Sequence, residues 1–103
     1  LNETFDDLNK IITLRTPLSA GGATVEQIVL VPPRIGQRKK AEAHHARGVT
    51  FESMTRFNIT LIALVAKVNE GIVEQMDTDQ FEEAASFLEG FSSRGRETGK
   101  SAA

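Results

Sequence analysis

The sequence predicts an α+β fold, with an N-terminal β-hairpin followed by about three α-helices and a predominantly helical chain. Three observations carry this. Two runs rich in β-branched residues flank a Gly-Gly pair between Lys10 and Val31. A long segment over 50–69 repeats apolar residues at helical spacing, and an acid-led segment over 78–90 does the same.

The first nine residues, beginning "LNETFDD", are polar and read as a flexible arm before a single domain over 10–91. "KIITLRTPL" follows as a strand, with Ile12 and Leu14 on one face. "SAGGA" is a turn signal, because Gly21 and Gly22 reach positive φ at little cost. "TVEQIVLV" is the second strand, stopped by Pro32 and Pro33, which have no N–H for a ladder. "RIGQRKKAEAHHARG" reads as a short polar helix over 35–47, ending at Gly48.

The 50–69 helix has Thr50 as its N-cap and Gly71 as its stop. Met54, Phe57, Leu61, Leu64, Val65 and Val68 form one apolar stripe. At about 100° per residue, Ile59, Ala63 and Ala66 fall on nearly the opposite side, with Ile62 between. A helix apolar on two sides is either central to its own fold or bound to another chain, and a chain of 103 residues has little material to surround it. Ile59, Ile62, Ala63 and Ala66, with Phe87 and Phe91 from the last helix, are therefore the expected interaction surface. That surface suits self-association as well as a client.

"MDTDQFEEAASFLEGF" resembles a cation loop at first sight. A helix start explains it better. Asp77 is placed to cap the N–H of Gln80, and Gln80 to reach back in a capping box. Met76 and Phe81 are placed as a hydrophobic staple, and Asp79, Glu82 and Glu83 lie where the helix dipole favours negative charge. A calcium loop counted from Asp77 would need glycine at its sixth position and glutamate at its twelfth; Glu82 and Leu88 stand there. Gly90 is the expected stop, and 92–103 reads as a disordered Ser/Gly/charged tail.

No metal site, cofactor loop or catalytic set emerges, so the sequence argues against an enzyme. His44 and His45 are adjacent, whereas zinc ligands on one helix sit three or four apart, so both read as solvated. The absence of cysteine excludes disulfides and fits a reducing compartment. The longest apolar run, "LIALVA", falls well short of the roughly 20 residues of a membrane span. A net charge of −2 argues against a general polyanion binder. Arg34, Arg38, Lys39, Lys40 and Arg47 nonetheless form a local basic patch. It reads as the solvated side of a short helix or, less favoured, as a phosphate-binding surface.

The order of these signals resembles the phage tail assembly chaperones of the contractile-tail, P2- and Mu-like, type. The likeness runs from about Ile11 to Phe91. "ITLRTPL", a glycine loop and "VEQIVLVPPRIGQRKKAE" precede a central apolar helix. An acidic terminal helix then presents Asp77, Phe81, Ala84 or Ala85, Phe87 and Leu88. The resemblance implies a non-enzymatic protein without cofactors, from a phage or prophage. Its partner would be the tape-measure protein, held soluble through its apolar helices during tail assembly, with the tail tube protein as a further contact. It implies a place in the host cytoplasm, absence from the finished virion, and in many relatives a longer frameshifted form. The rival reading is a small nucleic-acid-binding or regulatory module that uses the basic 34–47 segment.

Overall fold

A computed structural model describes the chain from Leu8 to Ala102, with side chains as far as Phe91. Strand β1 (Lys10–Ala20) pairs antiparallel with β2 (Ala23–Leu30) as a two-stranded sheet. Gly21 and Gly22 make the two-residue turn with φ of 60° and 82°. Positive φ at both central residues is the hairpin turn whose twist matches the strands, and glycine adopts it without a Cβ penalty. Pairing is regular from Lys10 opposite Leu30 to Thr13 opposite Gln27, and resumes with Leu18 opposite Val25. Leu14–Pro17 thus face Glu26 alone. Pro17 cannot donate to the ladder, so the strand bulges there.

Helix α1 (Ile35–Glu42) continues into a 3-10 turn, Ala43–His45. The Gln37 side chain accepts from the Arg34 N–H at 2.8 Å, closing the first turn. Helix α2 (Phe51–Ala66) is capped as expected: Thr50 Oγ1 accepts from the Ser53 N–H, and Ser53 Oγ accepts from the Thr50 N–H. Its C-terminus differs from the expectation. The helix ends at Ala66, and Lys67 turns left-handed with φ 60° and ψ 46°. The Val68 N–H then bonds back to the Ala63 carbonyl at 3.0 Å, a Schellman closure. Gly71 is therefore no stop. It lies inside a further short helix, α3 (Glu70–Glu74), started by Asn69, whose Oδ1 accepts from the Gly71 N–H.

Helix α4 (Thr78–Ala102) passes Gly90 without a break and takes in residues 92–102 of the segment expected as a disordered tail, whose last residue lies outside the described residues. Gly90 is not among the positive-φ glycines, and a helical glycine costs only about 1 kcal/mol, which by itself ends no helix. The first seven residues, most of the expected N-terminal arm, lie outside the described residues.

The helices pack on one face of the hairpin. Ile12, Leu14, Ile28 and Leu30 point inward and meet Leu61, Ile62, Ala63 and Val65 of α2 in one core. Ile72 and Val73 of α3, Met76, and Ala84 and Leu88 of α4 complete it. The observed fold is the α+β hairpin-then-helices arrangement that the sequence predicts.

Candidate functional site: a groove between two helices

The N-terminal parts of α2 and α4 stand apart, leaving a groove of about 530 Å³. Its walls include Phe57, Leu61, Phe81, Ala85 and Leu88. Phe51 and Met54 stand at its lip, 90% and 45% exposed. Charged side chains flank it, Arg38 from α1 and Glu82 and Glu89 from α4. An exposed phenylalanine beside a groove of mixed apolar and polar lining is the kind of surface that receives one side of an amphipathic helix.

Local chemistry fixes the α2 side. The α2 start is held by its Thr50–Ser53 capping box, and His45 stacks on Phe57 with ring centroids 5.2 Å apart. His45 Nδ1 lies 2.9 Å from Ser53 Oγ. That serine–histidine approach is structural: Ser53 is buried, and its oxygen also serves the cap and the Gly48 and Thr50 carbonyls. His44 Nε2 lies 2.8 Å from Thr60 Oγ1, whose proton goes to Glu70 Oε2 at 3.0 Å. The histidine must therefore supply its N–H to Thr60. His44 is exposed, as expected of a solvated histidine, and His45 is half-buried. Both tie the turn after α1 to α2, because adjacent side chains about 100° apart can reach two successive sites on a neighbouring helix.

The α4 side is anchored by an arginine that the sequence reading passed over. Arg15, in the β1 bulge, donates to Asp77 Oδ2 at 2.8 Å and to both carboxylate oxygens of Asp79. Its hydrogen bonds, first to Asp79 and then to Asp77, further favour the charged guanidinium. The hydrogen bond from Arg15 in turn holds the Asp79 carboxyl below its ordinary range. Lys10 adds an ion pair with Glu83 at 3.0 Å. The capping box proposed for Asp77 and Gln80 is replaced. The Asp77 carbonyl does accept the first helical bond, from Phe81, but its carboxylate faces Arg15. Gln80 instead donates to the Thr13 carbonyl. Arg15 offers the Asp77 carboxylate a full positive charge, where the helix start offers only N–H dipoles that sum to about half a charge.

The groove is not where the sequence reading put the interaction surface. Ile62 and Ala63 are buried in the chain's own core, and Ile59 and Ala66 are half-buried against it. Phe87 and Phe91 form an edge-to-face pair with centroids 5.2 Å apart, and neither lines the groove. The hairpin and α3 cover the second side of α2, so the surplus apolar surface lies instead at its N-terminal end, at Phe51 and Met54. Of the basic residues, Arg38 pairs with Glu42 at 3.4 Å and reaches the groove, while Arg34, Lys39, Lys40 and Arg47 are exposed. Among the described residues no group of three or more His, Cys, Asp or Glu is placed to hold a metal ion. Among the described residues, too, no helix is long and apolar enough to cross a membrane.

With this architecture in view, the family described as "Phage tail assembly chaperone proteins, E, or 41 or 14" matches residues 11–93. The chain belongs to the phage tail assembly chaperones. The match takes in both strands, the bulge with Arg15, and all the residues that form the groove. No curated protein and no solved structure matches the chain. Chaperones of this family are non-enzymatic.

Proposed function

We propose that this tail assembly chaperone binds the tape-measure protein of its own phage, of the contractile P2- and Mu-like type, in the host cytoplasm. An apolar helix of that client would lie in the α2–α4 groove, keeping it soluble until tube subunits enclose it. The observation that carries this reading is Phe51. A phenylalanine 90% exposed at the lip of a groove costs solubility and adds little to folding, which suits a contact made with another chain. Arg38 on one side and Glu82 and Glu89 on the other would set the client helix's direction through its flanking charges.

The test is co-expression with the tape-measure protein. The wild-type chain should keep that protein in the soluble fraction, and Phe51→Ser combined with Met54→Ser should release it to the pellet. The variant itself should remain folded, because both positions lie outside the core. A client that stays soluble with the double variant would refute the groove. Binding driven by apolar burial should tolerate salt, whereas a nucleic-acid complex of the basic segment would weaken steeply with it.

A further inference from the structure

The two edges of the hairpin are finished differently. Ala20 and Ala23 close the two-residue turn, so Ser19 and Thr24 form the next, non-hydrogen-bonded pair, with their N–H and C=O groups pointing away from the sheet. The close approach of their hydroxyls, 2.8 Å, agrees with that pairing. On this one rung the Ser19 carbonyl accepts from Gln75 at 2.8 Å, while the outward groups of Thr24 meet nothing among the described residues. The contrast continues along both strands. The Thr13 carbonyl of β1 is taken by Gln80, and the bulge with Pro17 interrupts the rest of that edge. Among the described residues, no side chain and no backbone outside β1 bonds to the main chain of β2. The β2 edge with its following residue, "ATVEQIVLV" over 23–31, holds one charge and neither proline nor lysine. Bulges, prolines and lysines are the usual devices that keep an edge from pairing, and β1 alone carries them.

We infer that β2 is the contact through which two copies of this chain associate, pairing antiparallel, edge to edge, into one four-stranded sheet. The strand is nearly uncharged. Pairing centred on Ile28 offsets the two Glu26 residues by ~14 Å along the strands, so its one charge does not oppose itself. The outer face beside this edge exposes Ile11, Val29 and Val31, at 60%, 40% and 40%, and a second copy would bring a matching set alongside. Growth stops at two chains, because each sheet then ends in a closed β1 edge and no open strand remains. A two-stranded sheet is marginal alone, so the pairing also strengthens the hairpin.

The experiment is sedimentation velocity over a micromolar concentration series, paired with hydrogen exchange. Dimer should form, with amides of 23–31 gaining protection as concentration rises. Gln27→Lys with Val29→Lys should weaken the dimer by about tenfold or more, since in pairing centred on Ile28 position 27 of each strand faces position 29 of the other, and like charges opposite each other repel. Both residues are exposed, so circular dichroism should be unchanged. Should the lysine pair unfold the chain, Thr24→Pro serves instead: it removes one outward N–H and, of the bonds to β1, only the hydroxyl contact with Ser19. A chain monomeric throughout overturns the inference. So does a dimer indifferent to these variants, or one whose protection maps to Phe51 and the α2–α4 groove. Protection of 23–31 that appears only with the tape-measure protein would reassign the edge to a client strand. Client solubility retained by the lysine variant would separate this contact from the groove, so either reading can fail alone.

Discussion

Replacing Ile62 with alanine should unfold the chain far more readily than any change at the groove lip. Ile62 was expected on an outward face of its helix, yet its side chain is fully enclosed. Ile28, Leu30, Ile72 and Val73 are also fully buried in the same core. They come from the hairpin and α3, so the space left by three missing carbons is bounded by separate elements and collapses poorly. Isoleucine-to-alanine changes at such sites cost about 2–5 kcal/mol, and ~3 kcal/mol is expected here. A domain of this size holds roughly 5–15 kcal/mol in total, so the loss is a large share. At about 4–8 °C per kcal/mol, Tm should fall by roughly 12–24 °C. Urea titration followed by circular dichroism measures it, with the midpoint lowered and the slope unchanged. Phe51→Ser is the control, expected within about 0.5 kcal/mol of wild type as a surface change. A cost below about 1 kcal/mol for Ile62→Ala, or an equal cost for Phe51→Ser, would show that the core and the groove have been interchanged.

Acid should weaken the junction between β1 and α4. Arg15 lowers the Asp79 carboxyl, so its contribution is present above the unfolded value of about 3.9 and disappears as pH falls through the lower folded value. Arg15→Met should flatten that acid limb in thermal melts between neutral pH and pH ~2, the span in which paired carboxylates titrate; an unchanged limb would rule out the pair as its source. Lys67→Gly should raise stability by up to about 1 kcal/mol, because Lys67 holds a left-handed backbone that glycine adopts without strain; a loss, read by urea titration, would mean that the Lys67 side chain itself stabilises the turn. Chelators, calcium and magnesium should leave Tm unchanged. A rise of several degrees with either ion would mean that the acidic start of α4 binds it in the native state.

Much of the fold was legible in local chemistry. The Gly-Gly turn, the Pro-Pro stop, the Thr50 cap and the helical spacing of Phe81, Ala84 and Leu88 each act within a few residues, so the sequence alone specified a hairpin and its helices. Where two local signals competed, it was less informative. Gly71 and Gly90 both looked like helix stops. Yet α2 ended earlier, at a left-handed lysine, and α4 ran on, because helix ends also depend on what the flanking residues bond to. The order of motifs that resembles the tail assembly chaperones was likewise readable from residues alone. The working surfaces were not. Periodicity showed that α2 has two apolar sides, but only packing decided which side the hairpin and α3 cover and which side opens into the groove. Arg15 and Asp79 lie 64 residues apart, and Gln75 and Ser19 lie 56 apart. Contacts at such separations leave no periodic trace in a sequence. They arise when the β1 bulge and the helix ends meet in space, and they determine which strand edge is closed and which remains open.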